Sequence, residues 1–353
     1  MSVALDMTFA NRNRGGSGVY ARSLLAALRE NGEVATSEVA GPATSNFLGT
    51  MRWLLGGART ALGRNPPDLL HCPSFVVPWR LPVPFVVTVH DAGVWRNPRD
   101  HPLEWRIYDR ALLSSRLKSA ARVIVGSEFA RSEVISGYGL DHERVVPVPY
   151  GIEESYFVQD FPRPRDLEET LLFPGAPVGR KNLGLVLRAM SAAHPQSALG
   201  RARLDISGAR GEDFPDERAL VTSLGLRDRV RWLGHVAPEL MPSLMARAGV
   251  VVFPSLYEGF GFPPLEALAV GTPVVASNRG SLPEVLGDSA VLIDPTDVTQ
   301  LAEALEAVMS KTDLRSSLVE KGRRRARHFT WRRCAERTVE VYRAALSEVR
   351  GHG

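Results

Sequence analysis

Glu258 and Glu266 stand eight positions apart in the stretch FPSLYEGFGFPPLEALAVGTPVVAS, residues 253–277. The apolar run ahead of them reads as a buried strand ending at Pro254. Pro263 or Pro264 can take the first position of a short helix that ends at Gly271. Glu258 then lies in the loop before the helix, and Glu266 in its first turn or so. Gly259 and Gly261 let the backbone approach a ligand closely and leave N–H groups near a positive helix end, which suits hydroxyl and phosphate oxygens. A glycosidase would need two carboxyls about 5–9.5 Å apart across one bond. Eight residues of unbroken helix span roughly 12 Å, a figure that the loop loosens. Glu266 also has a plainer use, complementing the helix dipole for about 0.3–1 kcal/mol.

A second cluster lies in FPGAPVGRKNLGLVLRAM, residues 173–190. Gly175 follows an apolar strand, and Arg180 and Lys181 stand at the start of a helix whose apolar face includes Leu183, Leu187 and Met190. Cations there oppose the helix dipole, so an anion held between them and the helix end removes the conflict; a solvated loop is the alternative. Lysine occurs only at 118, 181, 311 and 321, which singles out Lys181 further. In VVTVHDAGVW, residues 86–95, His90 and Asp91 end another apolar strand, on the side where open α/β sheets bind ligands. A lone histidine after a strand is also commonly structural. Finally, NRNRGGSGVYARSLL, residues 11–25, matches the dinucleotide fingerprint G-x-G-x-x-G/A through Gly16, Gly18 and Ala21. That fingerprint requires glycines directly after the strand, yet residues 10–14 intervene, and the acidic partner is only loosely available as Glu38. Gly15, Gly16 and Gly18 therefore read as a longer phosphate-facing loop opening a helix at 19–29.

Short β-branched runs alternate with helical patterns along the whole chain and place these clusters at strand ends. Strands are expected at 3–9, 69–71, 85–90, 122–126 and 145–148, with a weaker one near 33–39. A second set falls at 171–174, 203–207, 229–233, 250–254, 273–276 and 291–293. Several are apolar throughout, as in strands covered by helices on both faces. The repetition predicts an α/β protein with two Rossmann-like domains of parallel strands facing across a cleft. The boundary falls in the Pro- and charge-rich stretch 149–170, dividing an acceptor domain at 1–160 from a donor domain at 165–330. A last amphipathic helix, about 331–353, can pack on either. Thr296 or Asp297 can cap the helix that follows, and Ser127 another. The 353 residues suffice for two cores. A net charge of +4, without a dense basic block among aromatics, speaks against nucleic-acid binding. Cys72 and Cys334 form no metal or redox spacing, no apolar run approaches the roughly 20 residues of a membrane span, and the start lacks the pattern of a signal peptide. A cytoplasmic location is the expectation.

The order E-GFG-F-P-x-L-E-A-L-A-x-G-x-P-V-V-A-S-N-x-G-S-L-P-E-V, running from Glu258 to Val285, resembles the E-x7-E region of retaining glycosyltransferases of the GT-B fold, in particular glycosyltransferase family 4. The resemblance covers most of the chain. It implies transfer of a sugar from a nucleotide donor with retained anomeric configuration. By resemblance, Glu258 contacts the donor sugar near the reacting centre and Glu266 holds the ribose hydroxyls. Backbone amides around Gly259, Phe260, Gly261 and Phe262 meet the sugar hydroxyls. Arg180 and Lys181 neutralise the departing diphosphate, near Gly175. The T-V-H-D match puts His90 close to the donor sugar, with Asp91 positioning it, and the Gly15–Gly18 loop reaches toward the diphosphate.

The mechanism so implied is attack by an acceptor hydroxyl on the face from which the diphosphate leaves, one of whose oxygens accepts the proton. No D-x-D metal motif is present, so no metal and no cofactor is expected. GDP-mannose is the first choice of donor and a UDP-sugar the second; HVAPELM (235–241) is among the loops that decide the base. The acceptor is a hydroxyl compound, with a lipid-linked glycan one candidate. In FLGTMRWLLGGARTALGR, residues 47–64, Phe47, Met51, Leu54, Leu55, Ala58 and Leu62 recur at helical spacing with Arg52 and Arg59. Packing on the protein's own sheet is favoured over peripheral contact with an anionic membrane. Rival readings are an NAD-dependent oxidoreductase and a non-catalytic nucleotide-sugar-binding protein of the same fold.

Overall fold

The computed structural model describes residues 1–11, 15–41, 47–63, 66–96, 103–157, 161 and 169–351. The chain forms two compact units. Unit 1 comprises Met1–Gly151 with Phe329–Gly353, and unit 2 comprises Ile152–His328. The chain leaves unit 1 at Gly151, inside the 149–170 stretch read from composition and ahead of the 160–165 division drawn within it, because the segment around Tyr156 belongs with unit 2 beside Glu266.

Unit 1 holds β1 (Ser2–Asp6), β2 (Ala35–Val39), β3 (Leu69–Cys72), β4 (Phe85–Thr88), β5 (Arg122–Val125) and β6 (Val145–Pro147). Unit 2 holds β7 (Thr170–Phe173), β8 (Arg203–Ser207), β9 (Val230–Gly234), β10 (Val250–Phe253), β11 (Val274–Ser277) and β12 (Val291–Ile293). The sheet orders are β2-β1-β3-β4-β5-β6 and β12-β11-β10-β7-β8-β9. All pairings between these strands are parallel; Val251, for example, registers with Leu172 on one side and Val274 on the other. Central strands such as β3, β4, β10 and β11 are buried along their whole length, which explains their largely apolar sequences. Each sheet has one place where strand order reverses, between β1 and β3 and between β7 and β10. There, successive crossovers leave toward opposite faces and open a crevice beyond the carboxyl ends of the strands.

Local signals set the element ends. The Asp297 side chain accepts from the Gln300 amide at 2.9 Å and caps helix Val298–Ser310, and Ser127 accepts from Ala130 at 3.0 Å to cap Glu128–Tyr138. The final helix, Trp331–Gly351, belongs to unit 1, where Ala335, Val339, Tyr342 and Ala345 are buried. The segment Phe47–Arg52, a π-helical stretch Trp53–Gly57 and Ala58–Ala61 turn Trp53, Leu54, Ala58 and Leu62 into the unit 1 core. Its apolar stripe therefore covers the protein's own sheet, with Leu55 left outside. Among the described residues no helix is long and apolar enough to cross a membrane.

Candidate functional site

In unit 2 the loops after β7 and β10 meet at the reversal point and bring Arg180, Lys181 and Glu258 together. Glu258 Oε1 accepts from Arg180 Nη1 and from Lys181 Nζ, each at 2.6 Å. Arg180 Nη1 also donates to the Tyr257 carbonyl at 3.2 Å, and Lys181 Nζ sits 4.0 Å from the centre of the Phe253 ring. The Leu256 amide donates to the Arg180 carbonyl at 2.8 Å, which locks the two loops side by side. Asn182, with φ 59°, donates to the carbonyls of Pro254 and Pro295. Arg180 and Lys181 occupy a 3-10 turn, Gly179–Lys181, ahead of helix Leu183–Ala192 rather than its first turn. The anion that the cation pair required is supplied from within the chain, by Glu258.

Lys181 and Glu258 are both buried. Burial by itself would raise the Glu258 carboxyl; Lys181 and Arg180 outweigh it and hold the group below the usual carboxylate range. Two cations and one carboxylate leave the cluster with an excess positive charge. The Arg180 side chain is 35% exposed, and its Nε and Nη2 have no partner among the described residues. An arriving anion therefore finds donors here without first breaking the buried pair.

The Glu258 loop is held from behind by Gly280 and Ser281, two residues whose role sequence reasoning missed although they lie in the recognised N-x-G-S run. The Ser281 amide and hydroxyl both donate to the Glu258 carbonyl at 3.1 Å, and the hydroxyl also reaches the Phe260 carbonyl at 2.9 Å. Gly280 has φ +66°, and a Cβ there would lie 2.7 Å from the Glu258 carbonyl oxygen. Gly261, φ +99°, starts helix Phe262–Val270, and a Cβ on it would meet Leu282 at 2.7 Å. Gly259 lies in the turn between, and the rings of Phe260 and Phe262 pack edge to face at 5.2 Å.

Glu266 falls in the second turn of that helix. Burial raises its pKa to about 7, with Glu153 adding to the shift and the Tyr156 hydroxyl opposing it. A carboxyl so raised gains little from the helix dipole. Gly175 follows β7, its amide 3.4 Å from Ser207 Oγ.

In unit 1, His90 lies beyond the end of β4. Its Nε2 is 3.2 Å from the Pro73 carbonyl, and its Nδ1 is 3.0 Å from Tyr150 Oη. A carbonyl only accepts, so Nε2 carries the proton and Nδ1 accepts from Tyr150. Burial holds the His90 pKa down at about 4, against the opposing pull of Asp91 and the Pro73 carbonyl, and the ring is neutral at pH 7. A ligand hydroxyl reaches Nε2–H only by taking over from Pro73. Asp91 does not orient the ring by a hydrogen bond. Its Oδ1 accepts from the Gly93 amide at 2.8 Å, at the start of helix Gly93–Arg96. Tyr20 stands edge-on to His90 at 5.0 Å, and its hydroxyl is 3.0 Å from Thr88 Oγ1. From Thr88 a buried polar chain continues through His71 Nε2 at 2.8 Å and His71 Nδ1 to Tyr342 Oη at 2.6 Å. Isolated tyrosines in apolar or loop sequence gave no signal of this network. Gly15 is the residue before helix Gly16–Asn31, which places Gly16 and Gly18 in its first turn; Arg12, Asn13 and Arg14 of the same loop lie outside the described residues.

The profile described as Glycosyltransferase Family 4 matches residues 14–156, and that described as Glycosyl transferases group 1 matches residues 159–325. The chain is 33% identical to O-antigen chain mannosyltransferase B of Escherichia coli over 291 residues, 78% of this chain and 74% of that protein. It is 30% identical to the MMP alpha-(1->4)-mannosyltransferase of Mycolicibacterium hassiacum over 283 residues, 75% of this chain and 66% of that protein. Among solved structures, sucrose-phosphate synthase from Thermosynechococcus elongatus superposes with a TM-score of 0.81 at 20% identity, over 99% of this chain and 100% of that one. Anabaena Alr3699/HepE in complex with UDP and glucose does so with a TM-score of 0.73 at 18% identity, over 98% and 100%. With two parallel six-stranded α/β units, the reversal-point cluster of Glu258, Lys181 and Arg180, and these matches over both units, the chain belongs to glycosyltransferase family 4 and has the GT-B fold.

Proposed function

We propose that this glycosyltransferase moves a hexose, mannose first, from a nucleoside diphosphate sugar to an acceptor hydroxyl with retention of configuration and without a metal. The observation that carries the reading is the pairing of two cations with Glu258 where the strand order of unit 2 reverses. The open Nε and Nη2 of Arg180 and the Lys181 ammonium offer charge to a diphosphate, whose negative charge grows as the glycosidic bond breaks. Glu258, held ionised by those cations, presents a carboxylate to sugar hydroxyls and stabilises positive charge at the anomeric carbon. Glu266 accepts from ribose hydroxyls, and with its pKa raised by burial to about 7, rising pH increases the share that does so as a carboxylate. The acceptor proton passes to a diphosphate oxygen as the bond to the new oxygen forms. GDP-mannose is preferred because both mannosyltransferase relatives match over most of this chain; HepE, whose solved complexes hold UDP and UDP-glucose, supports a UDP-sugar as runner-up.

Thermal shift with GDP, UDP, ADP, dTDP and NAD separates these choices. Stabilisation by GDP above the others is the expected outcome, and stabilisation by NAD alone overturns the reading. Turnover with GDP-mannose should persist in EDTA, and NMR of the product should show the α-anomer. Activity lost in EDTA and restored by a divalent ion would refute the leaving-group role of Arg180 and Lys181.

A further inference from the structure

Ser255 follows the end of β10 by two residues and is 1% exposed. Both of its neighbours are fixed to the loop after β7. The Pro254 carbonyl accepts from Asn182 Nδ2 at 3.3 Å, and the Leu256 amide donates to the Arg180 carbonyl at 2.8 Å. The Ser255 hydroxyl, by contrast, is enclosed and makes no hydrogen bond of normal geometry among the described residues. A buried hydroxyl left in that state has given up its hydration for nothing. Serines in tight loops ordinarily bond a nearby backbone group, and this one does not. The group it acts on is Glu258. Burial raises that carboxyl, Lys181 and Arg180 pull it down, and Ser255 adds a smaller pull in the same direction. The hydroxyl thus lies near the carboxylate without having closed on it. Room for it remains there, since both cations use Glu258 Oε1, and Oε2 accepts no hydrogen bond among the described residues.

An arriving diphosphate changes this balance. Its oxygens compete with Glu258 Oε1 for Arg180 and Lys181. A buried carboxylate that loses donors either takes up a proton or finds another donor. We infer that Ser255 is a positioning residue for Glu258: as a nucleoside diphosphate draws the two cations toward itself, the Ser255 hydroxyl donates to the carboxylate and keeps it ionised and aimed at the donor sugar. In the free protein the two cations hold Glu258, and the hydroxyl stands in reserve. Every group in the exchange belongs to the loops after β7 and β10 of unit 2. The inference rests on the transferase reading, because it requires a diphosphate at Arg180 and Lys181.

Ser255→Ala in the full chain tests it. Without ligand, the variant should melt in denaturant with the wild type or later, since the hydroxyl it lacks bonds nothing there. GDP or UDP, whichever the wild type binds, should bind the variant about tenfold more weakly above neutral pH. Turnover of GDP-mannose or UDP-glucose, accordingly, should show kcat lowered about tenfold. The acid limb of the kcat profile should move to higher pH by about one unit, because Glu258 without the hydroxyl binds its proton more readily. Equal nucleotide affinity in the two proteins overturns the inference, as does an unmoved acid limb. A variant that is destabilised as much without nucleotide as with it would give Ser255 a structural role and overturn it too. A wild type that binds no nucleoside diphosphate defeats the transferase reading itself and takes this inference with it, a result visible before any substitution is made.

Discussion

Glu258 satisfies two cations at once, and those cations differ in what they should cost to remove. Lys181 is buried against the carboxylate and the Phe253 ring, so Lys181→Met strips half the compensation from a buried charge. It should lower unfolding free energy by about 3 kcal/mol, as for other broken buried pairs. Arg180 is partly in solvent, and its replacement leaves Lys181 on Glu258. Arg180→Gln should therefore change stability by about 1 kcal/mol or less, yet lower kcat by about 10²–10³-fold if it stabilises the leaving group. Denaturant melts beside initial rates give the comparison. An Arg180→Gln enzyme with near-normal kcat would remove the residue from the chemistry. At this scale the sequence was informative about residue type but not partner. The dipole conflict at Arg180 and Lys181 was legible, whereas its resolution by Glu258, 77 and 78 positions away, was not.

Among elements, the loop carrying Glu258 depends on the close approach of Gly280 behind it. Gly280→Ala places a methyl 2.7 Å from a backbone carbonyl that cannot rotate away, at a φ of +66°. Gly139→Ala has a comparable φ of +61° in the left-handed helical region but open space around it. The second should cost about 1 kcal/mol for the left-handed backbone alone. The first should cost about 2–3 kcal/mol and also displace Glu258, lowering kcat well beyond what the control loses. Equal effects in the two variants would show that crowding against Glu258 is not what Gly280 relieves. The twelve strands were readable from apolar runs and turn residues, most of them within one or two residues of their ends. The inward face of the 47–61 segment was harder, because periodicity marks an apolar stripe without saying whether sheet, lipid or partner covers it.

Across the whole molecule, the two units should respond to pH with opposite slopes. In unit 1, burial depresses His71 to about 3 and His90 to about 4. Each contributes stability that is present above the unfolded histidine pKa, roughly 6.5, and is lost as pH falls through the folded value. In unit 2, Glu266 is raised to about 7. Its contribution is present below the unfolded carboxyl pKa, roughly 4.3, and is lost as pH rises through 7. Glu258, shifted the other way, loses its contribution only at acid pH, below its ordinary range. Calorimetry between pH 5 and 8 should show the unit 1 transition rising to about 6.5 and levelling, while the unit 2 transition falls toward neutrality. Each slope is worth about 1–3 kcal/mol. His90→Gln should reduce the first slope without abolishing it, because His71 remains, and Glu266→Gln should flatten the second. Parallel slopes in both transitions would mean that these buried groups do not control the response.

By itself the sequence determined the alternation of strands and helices, the pairing of two parallel α/β units, and the loops that carry Glu258, Arg180, Lys181 and His90. Those features rest on short-range physics: side-chain periodicity, glycine and proline conformational limits, and caps formed within three residues. The tertiary structure alone decided that Glu258 neutralises Lys181, that Tyr150 and Pro73 fix the proton on His90, and that the last helix joins unit 1 through Tyr342 and His71, 271 positions apart. Burial and desolvation are summed over everything a side chain meets in the folded chain, and no local window of residues contains that sum.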